Sequence, residues 1–194
     1  MFFMRINRYV LASGSSRRQS LLKSIISYFE IWTKDIEESY PSELKEDKVA
    51  IYLAEKKAKA FYKEMNKGDL LISADTIVCQ DQRVLGKPKD ADEAFAMLTA
   101  LSNSVHKVIT ACAIQSLYSI NSFAEITEVR FKALSSEEID YYIEHFKPFD
   151  KAGAYGIQEW IGQIAIKGIN GCYYNVMGLP IQRLNSYLKL EGLI

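Results

Sequence analysis

Cysteine, histidine, net charge and long apolar runs are all scarce in this chain of 194 residues. Its three cysteines, Cys79, Cys112 and Cys172, are odd in number and far apart, with no Cys-x-x-Cys pair and no Cys/His clustering. They indicate neither a disulfide framework nor a zinc site, and they suit a reducing, cytoplasmic setting. His106 and His145 are the only histidines, and neither stands near a serine or cysteine in a nucleophile pattern, which argues against a catalytic triad. The 24 Lys and Arg balance the 24 Asp and Glu. No global field therefore draws the protein to nucleic acid or an anionic membrane, and any anion site must be local. At the N-terminus Arg5 and Arg8 interrupt "MFFMRINRYVLAS" before it reaches the length of a secretion-signal core, and no other stretch approaches membrane-spanning length. A soluble protein is expected.

What is present suits a packed fold: 48% apolar and 12% aromatic residues, enough for one sizeable core, so a single domain over residues 1–194 is expected. "RYVLAS" reads as a buried strand, and Leu21, Leu22, Ile25 and Ile26 then recur at helical spacing. "YFEIWTK" predicts a second strand, "DIEESYPSELKED" a loop, and residues 46–63 a helix with Val49, Tyr52, Leu53 and Ala60 on its apolar stripe. "LLISADTIVCQ" is the most apolar strand candidate, and "DQRVLGKP" follows it as a turn and a short extended piece. Asp90 with Glu93, and Ser135 with Glu138, form capping patterns ahead of helices whose stripes are Ala94, Met97, Leu98, Leu101 and Ile139, Tyr142, Ile143, Phe146. Between them "KVITACAIQSLYSI" and "SFAEITEVRFKAL" predict an antiparallel pair turning at Asn121-Ser122. A glycine-punctuated tail closes with a helix through Ile181, Leu184 and Leu188. The mixture of single strands, a hairpin and helices implies an α/β fold with a mixed sheet.

Three segments carry candidate chemistry. In "LASGSSRRQSLL" a Gly/Ser loop opens a helix, where unpaired backbone N–H groups and the positive dipole end suit phosphate and Arg17 and Arg18 can add contacts; a plain helix cap with solvated arginines fits the pattern equally well. Asp75 stands in "LISADTIV", where a carboxylate needs a cation, a metal or hydrogen-bond donors; a strand end with Asp75 and Thr76 in a turn is the alternative. "DKAGAYGIQ" packs Asp150, Lys151, two glycines, Tyr155 and Gln158 into nine residues, which reads either as a close approach to a ligand or as a pair of glycine turns. Lys87 and Lys89 in "GKPKD", with Glu37, Glu38, Lys56 and Lys57 upstream, are the charges phosphoryl chemistry uses, although each alone reads as a solvated side chain. His106 reads as a structural histidine rather than a substrate contact.

Taken in order, "LASGSSRRQSLL", "DIEE", "YLAEKKAKA", "SADTIV", "LGKPKDADEAFAMLTALSNSVHKVIT" and "DKAGAYGIQ…INGCYYNVMGLPI" closely resemble the Maf family of nucleoside triphosphate pyrophosphatases. The match covers almost the whole chain. It implies a mixed α/β fold, an elongated β-sheet flanked by helices in two lobes with a central cleft, related to the inosine triphosphate pyrophosphatases. It also implies cleavage between the α and β phosphates with a divalent cation, Mg²⁺ or Mn²⁺, in a homodimer; from the charge balance and the short apolar runs, no nucleic-acid or membrane partner is expected. Carried over by position, the resemblance makes Asp75 the catalytic residue, as base or metal ligand, with Glu38 as its metal partner. Ser13, Arg17, Lys57, Lys87 and Gln158 become substrate-binding residues. The string "DKAGAYGIQ" is similar to the branch specific for dTTP and UTP, which implies Arg17 and Gln158 near a pyrimidine base. This chain departs from the family pattern at Ser16 (usually proline), Asn103 (usually glycine) and Tyr52 (often arginine). A nucleotide-binding regulator of septum formation with little turnover is the competing expectation.

Overall fold

A computed structural model describes residues 6–81 and 83–194 of the protein. Arg5, invoked above at the N-terminus, and Gln82 of the short turn lie outside the described residues. The elements in chain order are β1 (Arg8–Leu11), α1 (Ser16–Lys23), β2 (Glu30–Ile31), α2 (Asp47–Lys59), β3 (Asp69–Gln80), β4 (Arg83–Leu85) and α3 (Ala91–Leu101). There follow β5 (Val105–Gln115), β6 (Ile120–Phe131), α4 (Ser136–Phe146), α5 (Trp160–Ala165), β7 (Ile166–Asn170), α6 (Tyr173–Met177) and α7 (Ile181–Leu190). One sheet runs in the order β2-β1-β3-β5-β6-β7, with β4 on β3. β1 lies parallel to β2 and β3, whereas β4 is antiparallel to β3 and β7 to β6, so the sheet is mixed as expected. No helix among the described residues is long and apolar enough to cross a membrane.

Contacts divide the chain into two compact units. The first holds the described residues up to Asp75 with Thr110–Glu125 and Gly178–Ile194; the second holds Thr76–Ile109 and Ile126–Met177. In the first, Val10, Leu11, Leu22, Leu53, Leu71 and Ile72 are almost fully buried, and so are Leu184 and Leu188 of the closing helix. In the second, one apolar cluster joins Leu98 and Leu101 of α3, Val129 and Phe131 of β6, and Tyr142 and Ile143 of α4.

Both capping patterns form. The Asp90 side chain accepts from Glu93 N, and Ser135 and Glu138 bond reciprocally. These are local contacts of three residues, which is why their spacing alone forecasts the helix starts.

Other expectations shift. α1 stops at Lys23, since Ser24 Oγ donates to the Leu21 carbonyl (2.7 Å), so Ile25 and Ile26 follow the helix rather than extend it. In α2 the inward face is Val49, Ala50, Leu53, Ala54 and Ala58, and Tyr52 is exposed. The turn between β5 and β6 lies at Ser116–Ser119, not at Asn121-Ser122. Ser116 Oγ accepts from the Tyr118 and Ser119 amides (both 3.1 Å), and Asn121 and Ser122 belong to β6. A serine side chain thus closes the turn where a turn-forming dipeptide was expected. The tail holds α5, β7 and α6, none of which its glycines forecast.

Candidate functional site

In the first unit, α2 packs its small apolar face inward, and Ser73 Oγ of β3 donates to the Ala54 carbonyl (2.7 Å), tying that helix to the strand that carries Asp75. Lys57 sits one turn further along α2, and its ammonium donates to Asp75 Oδ1 and to Glu38 Oε1 (2.9 Å). The loop that carries Glu38 is held by the neighbouring Lys56, whose Nζ donates to the Ser39 carbonyl (2.9 Å) and hydroxyl (3.0 Å). Adjacent lysines therefore divide the work, one fastening the loop and the other gathering two carboxylates.

Asp75 is only 4% exposed. Burial pushes its carboxyl up from the ordinary carboxylate range, while Lys57 and Arg18 pull it the other way. Asp75 therefore sits inside β3 as a buried acid with cationic partners, not at a strand end in a turn.

The opening loop resolves in neither of the two simple ways. Ser15 is the N-cap of α1, but its side chain makes no capping bond. Ser13 Oγ accepts from the Ser15 amide (3.3 Å) and from Arg18 Nη1 (3.4 Å), while Arg18 Nε donates to the Gly178 carbonyl (2.8 Å). Burial lowers the Arg18 pKa, and the nearby Asp75 charge opposes that shift. Arg18 thus joins the Lys57 group electrostatically, whereas the family resemblance favoured Arg17 as the contacting residue. Ser16 is the first residue of α1, a position where proline fits without losing a hydrogen bond, so its replacement leaves the helix start intact.

In the second unit, Gly153 N donates to the Gly86 carbonyl (3.0 Å), which brings the "GKP" loop carrying Lys87 beside "DKAGAYGIQ". Gly153 has φ +66°, and a Cβ there would stand 2.8 Å from Val78 Cγ2, so this position requires glycine. Asn103 likewise adopts φ +54°, a left-handed conformation that asparagine tolerates in place of the family's glycine. His106 is 1% exposed; its Nε2 bonds the Tyr155 hydroxyl (2.8 Å), and its ring meets Phe131 and Tyr155 edge-on. Burial lowers its pKa to about 4, so it is neutral and structural, as its position suggested.

The structure therefore brings Glu38, Lys57 and Asp75 together in one unit, and places Lys87 and Gln158 on segments bonded to one another in the other. A model of the family described as Maf-like protein matches residues 8–191. The chain belongs to the Maf family. It is 48% identical over 181 residues to the dTTP/UTP pyrophosphatase of Flavobacterium johnsoniae, an alignment that covers 93% of each chain. It is 49% identical over 183 residues to the protein of the same name from Phocaeicola vulgatus, covering 94% of this chain and 95% of the relative. Among solved structures, the Staphylococcus aureus Ham1 protein superposes with a TM-score of 0.55 at 17% identity, covering 95% of this chain and all of that one, a likeness of fold.

Within this Maf chain, sequence reasoning ranked Arg18 behind Arg17 and passed over Glu159. Arg18 was half-visible as the second of two arginines. Glu159, described below, carried no signal beyond following "AYGIQ".

Proposed function

We propose that the protein hydrolyses dTTP and UTP to the monophosphate and pyrophosphate. The observation that carries this reading is the Lys57 ammonium held between the buried Asp75 and Glu38, in a chain whose full-length relatives are named dTTP/UTP pyrophosphatase. The donor set fits a divalent cation. Two carboxylates converge on one point that an ammonium already favours, and hard ions such as Mg²⁺ bind through one or two carboxylates and complete their shell with water and phosphate oxygen. Among the described residues no group of three or more His, Cys, Asp or Glu could hold a metal, so the nucleotide itself supplies the remaining oxygens in this reading. When bound, Mg²⁺ or Mn²⁺ would neutralise phosphate charge and polarise the phosphoryl oxygens.

The chain's own residues do the rest. Asp75, raised in proton affinity by burial, orients the attacking water and takes its proton. Lys57 and Arg18 offset the charge that builds on the departing pyrophosphate, and Ser13 and Arg17 hold the phosphates at the start of α1. Lys87 adds a further cation, and Gln158 meets the base.

The test is to incubate the purified protein with a panel of nucleoside triphosphates and Mg²⁺ or Mn²⁺, measuring pyrophosphate separately from orthophosphate, with a chelator control. Pyrophosphate from dTTP and UTP ahead of purine triphosphates, lost on chelation, is expected. Orthophosphate as the sole product would overturn the cleavage position, and binding without product would favour the regulator.

A further inference from the structure

Gln158 is followed by a carboxylate that is held by two side chains. Tyr142 Oη donates to Glu159 Oε2 and itself accepts from the Gly156 amide (3.1 Å). Lys151 Nζ reaches Glu159 Oε1 at 3.1 Å and Asp150 Oδ1 at 2.7 Å, with only 8% of its side chain exposed. Burial and the neighbouring Glu159 both push the Tyr142 phenol up, so it remains a donor. Onto this fixed carboxylate Gln158 turns its Nε2, 3.5 Å from Glu159 Oε1. The amide's other end, Oε1, is buried and accepts no hydrogen bond among the described residues.

A glutamine amide can point either way, and which way it points decides whether it offers a ligand a donor or an acceptor. Beside Glu159 the reversed amide would set its oxygen against a carboxylate oxygen. Gly156 leaves the room this arrangement needs: a Cβ there would stand 2.9 Å from both Gln158 Nε2 and Glu159 Cδ.

We propose that Glu159 is a positioning residue that locks the Gln158 amide with its oxygen as the free end, so that the base site accepts an N–H and rejects a lone pair. This rests on the reading of Gln158 as the residue that meets the base. Thymine and uracil offer an N3–H at the ring position where cytosine, of nearly the same shape, offers an unprotonated N3. The lock therefore discriminates between two pyrimidines that volume cannot separate. An unpaired buried acceptor is costly, and a ligand N–H relieves that cost in only one of the two cases.

The experiment compares kcat/KM for dTTP and dCTP in the wild type, in Glu159→Gln and in Tyr142→Phe, with thermal melts alongside. The neutral amide of Glu159→Gln tolerates either orientation of Gln158, so the dTTP-to-dCTP ratio should fall about tenfold, with KM moving more than kcat. Tyr142→Phe removes one bond to Glu159 and should lower the ratio by less, and it decides the matter if Glu159→Gln does not fold. Dissociation constants for UMP and CMP read the same lock without turnover. A ratio unchanged in the folded variants, or a wild type that treats the two nucleotides alike, overturns the lock. No pyrophosphate from any nucleotide, with UMP still preferred over CMP in the wild type and less so in the variants, would overturn the proposed reaction and leave the lock standing.

Discussion

Asp75 in the first unit and His106 in the second are buried to almost the same degree, at 4% and 1% exposure, yet their surroundings treat charge in opposite ways. Desolvation disfavours the charged form of each, raising the acid and lowering the base. Around Asp75 the fold answers with Lys57 and Arg18, two cations that oppose the upward shift. Around His106 it answers with a tyrosine hydroxyl on Nε2 and two ring edges, while Nδ1 is buried without a hydrogen bond among the described residues, so no charged partner offsets the desolvation of a cation. Burial alone therefore does not set how a group's charge is treated; the partners do.

The most severe way to break this contrast is Asp75→Asn. Turnover should fall by about a thousandfold while the fold persists, because the amide cannot take a proton yet fits the same volume. Pyrophosphate release and a thermal melt measure the two halves, and retained activity would remove Asp75 from the mechanism.

Lys57→Met attacks the same group from the cationic side, leaving Asp75 and Glu38 without their shared ammonium. A loss of about 3 kcal/mol in urea unfolding is expected, and adding Asp75→Asn should return much of it. A single variant as stable as the wild type would mean that Asp75 is protonated at neutral pH.

His106 sharpens the comparison through pH. The unfolded histidine titrates near 6.5 and the folded one near 4, so between those values the unfolded chain binds more protons. Its contribution is complete above pH 6.5 and is lost as pH falls toward 4, amounting to on the order of 3 kcal/mol over that window but only about 1 kcal/mol by pH 6. Asp75 acts in the opposite sense: its raised affinity for a proton makes its burial less costly as pH falls. His106→Phe should flatten the slope of unfolding free energy between pH 6.5 and 4, and an unchanged slope would assign the acid sensitivity to other groups.

The smallest effect belongs to a local contact that involves neither residue. Ser135→Ala removes one half of the capping box of α4 and should cost about 1 kcal/mol in thermal or urea unfolding, with turnover unaffected. A large loss of activity would show that the start of α4 sets the position of Tyr142 and Glu159 more tightly than its own hydrogen bonds suggest.

Much of the architecture was legible beforehand. Apolar periodicity found β3, α3, α4 and α7, and the capping spacings marked where two of those helices begin. The hairpin turn was misplaced because a Ser116 hydroxyl, not the Asn121-Ser122 dipeptide, organises it. Tyr52 was put on the wrong face because α2 buries alanines, which weigh little in a hydropathy stripe. Of the site, Asp75 was visible as a carboxylate among apolar neighbours, while Glu38, Lys57 and Lys87 were indistinguishable from surface charge until a family resemblance singled them out.

By itself the sequence determined the elements whose causes are local: turns of helix, capping pairs three residues apart, and an apolar strand with one acid in it. Only the tertiary structure decided that Lys57 stands between Glu38 and Asp75, which are 19 and 18 residues away in the chain, that Arg18 reaches the Gly178 carbonyl 160 residues on, and that Tyr142 holds Glu159 beside Gln158. Helix and cap energies depend on neighbours within one turn and so are written in spacing. The charge state of a buried group depends on which distant side chains the packed chain delivers to it, and no spacing records that.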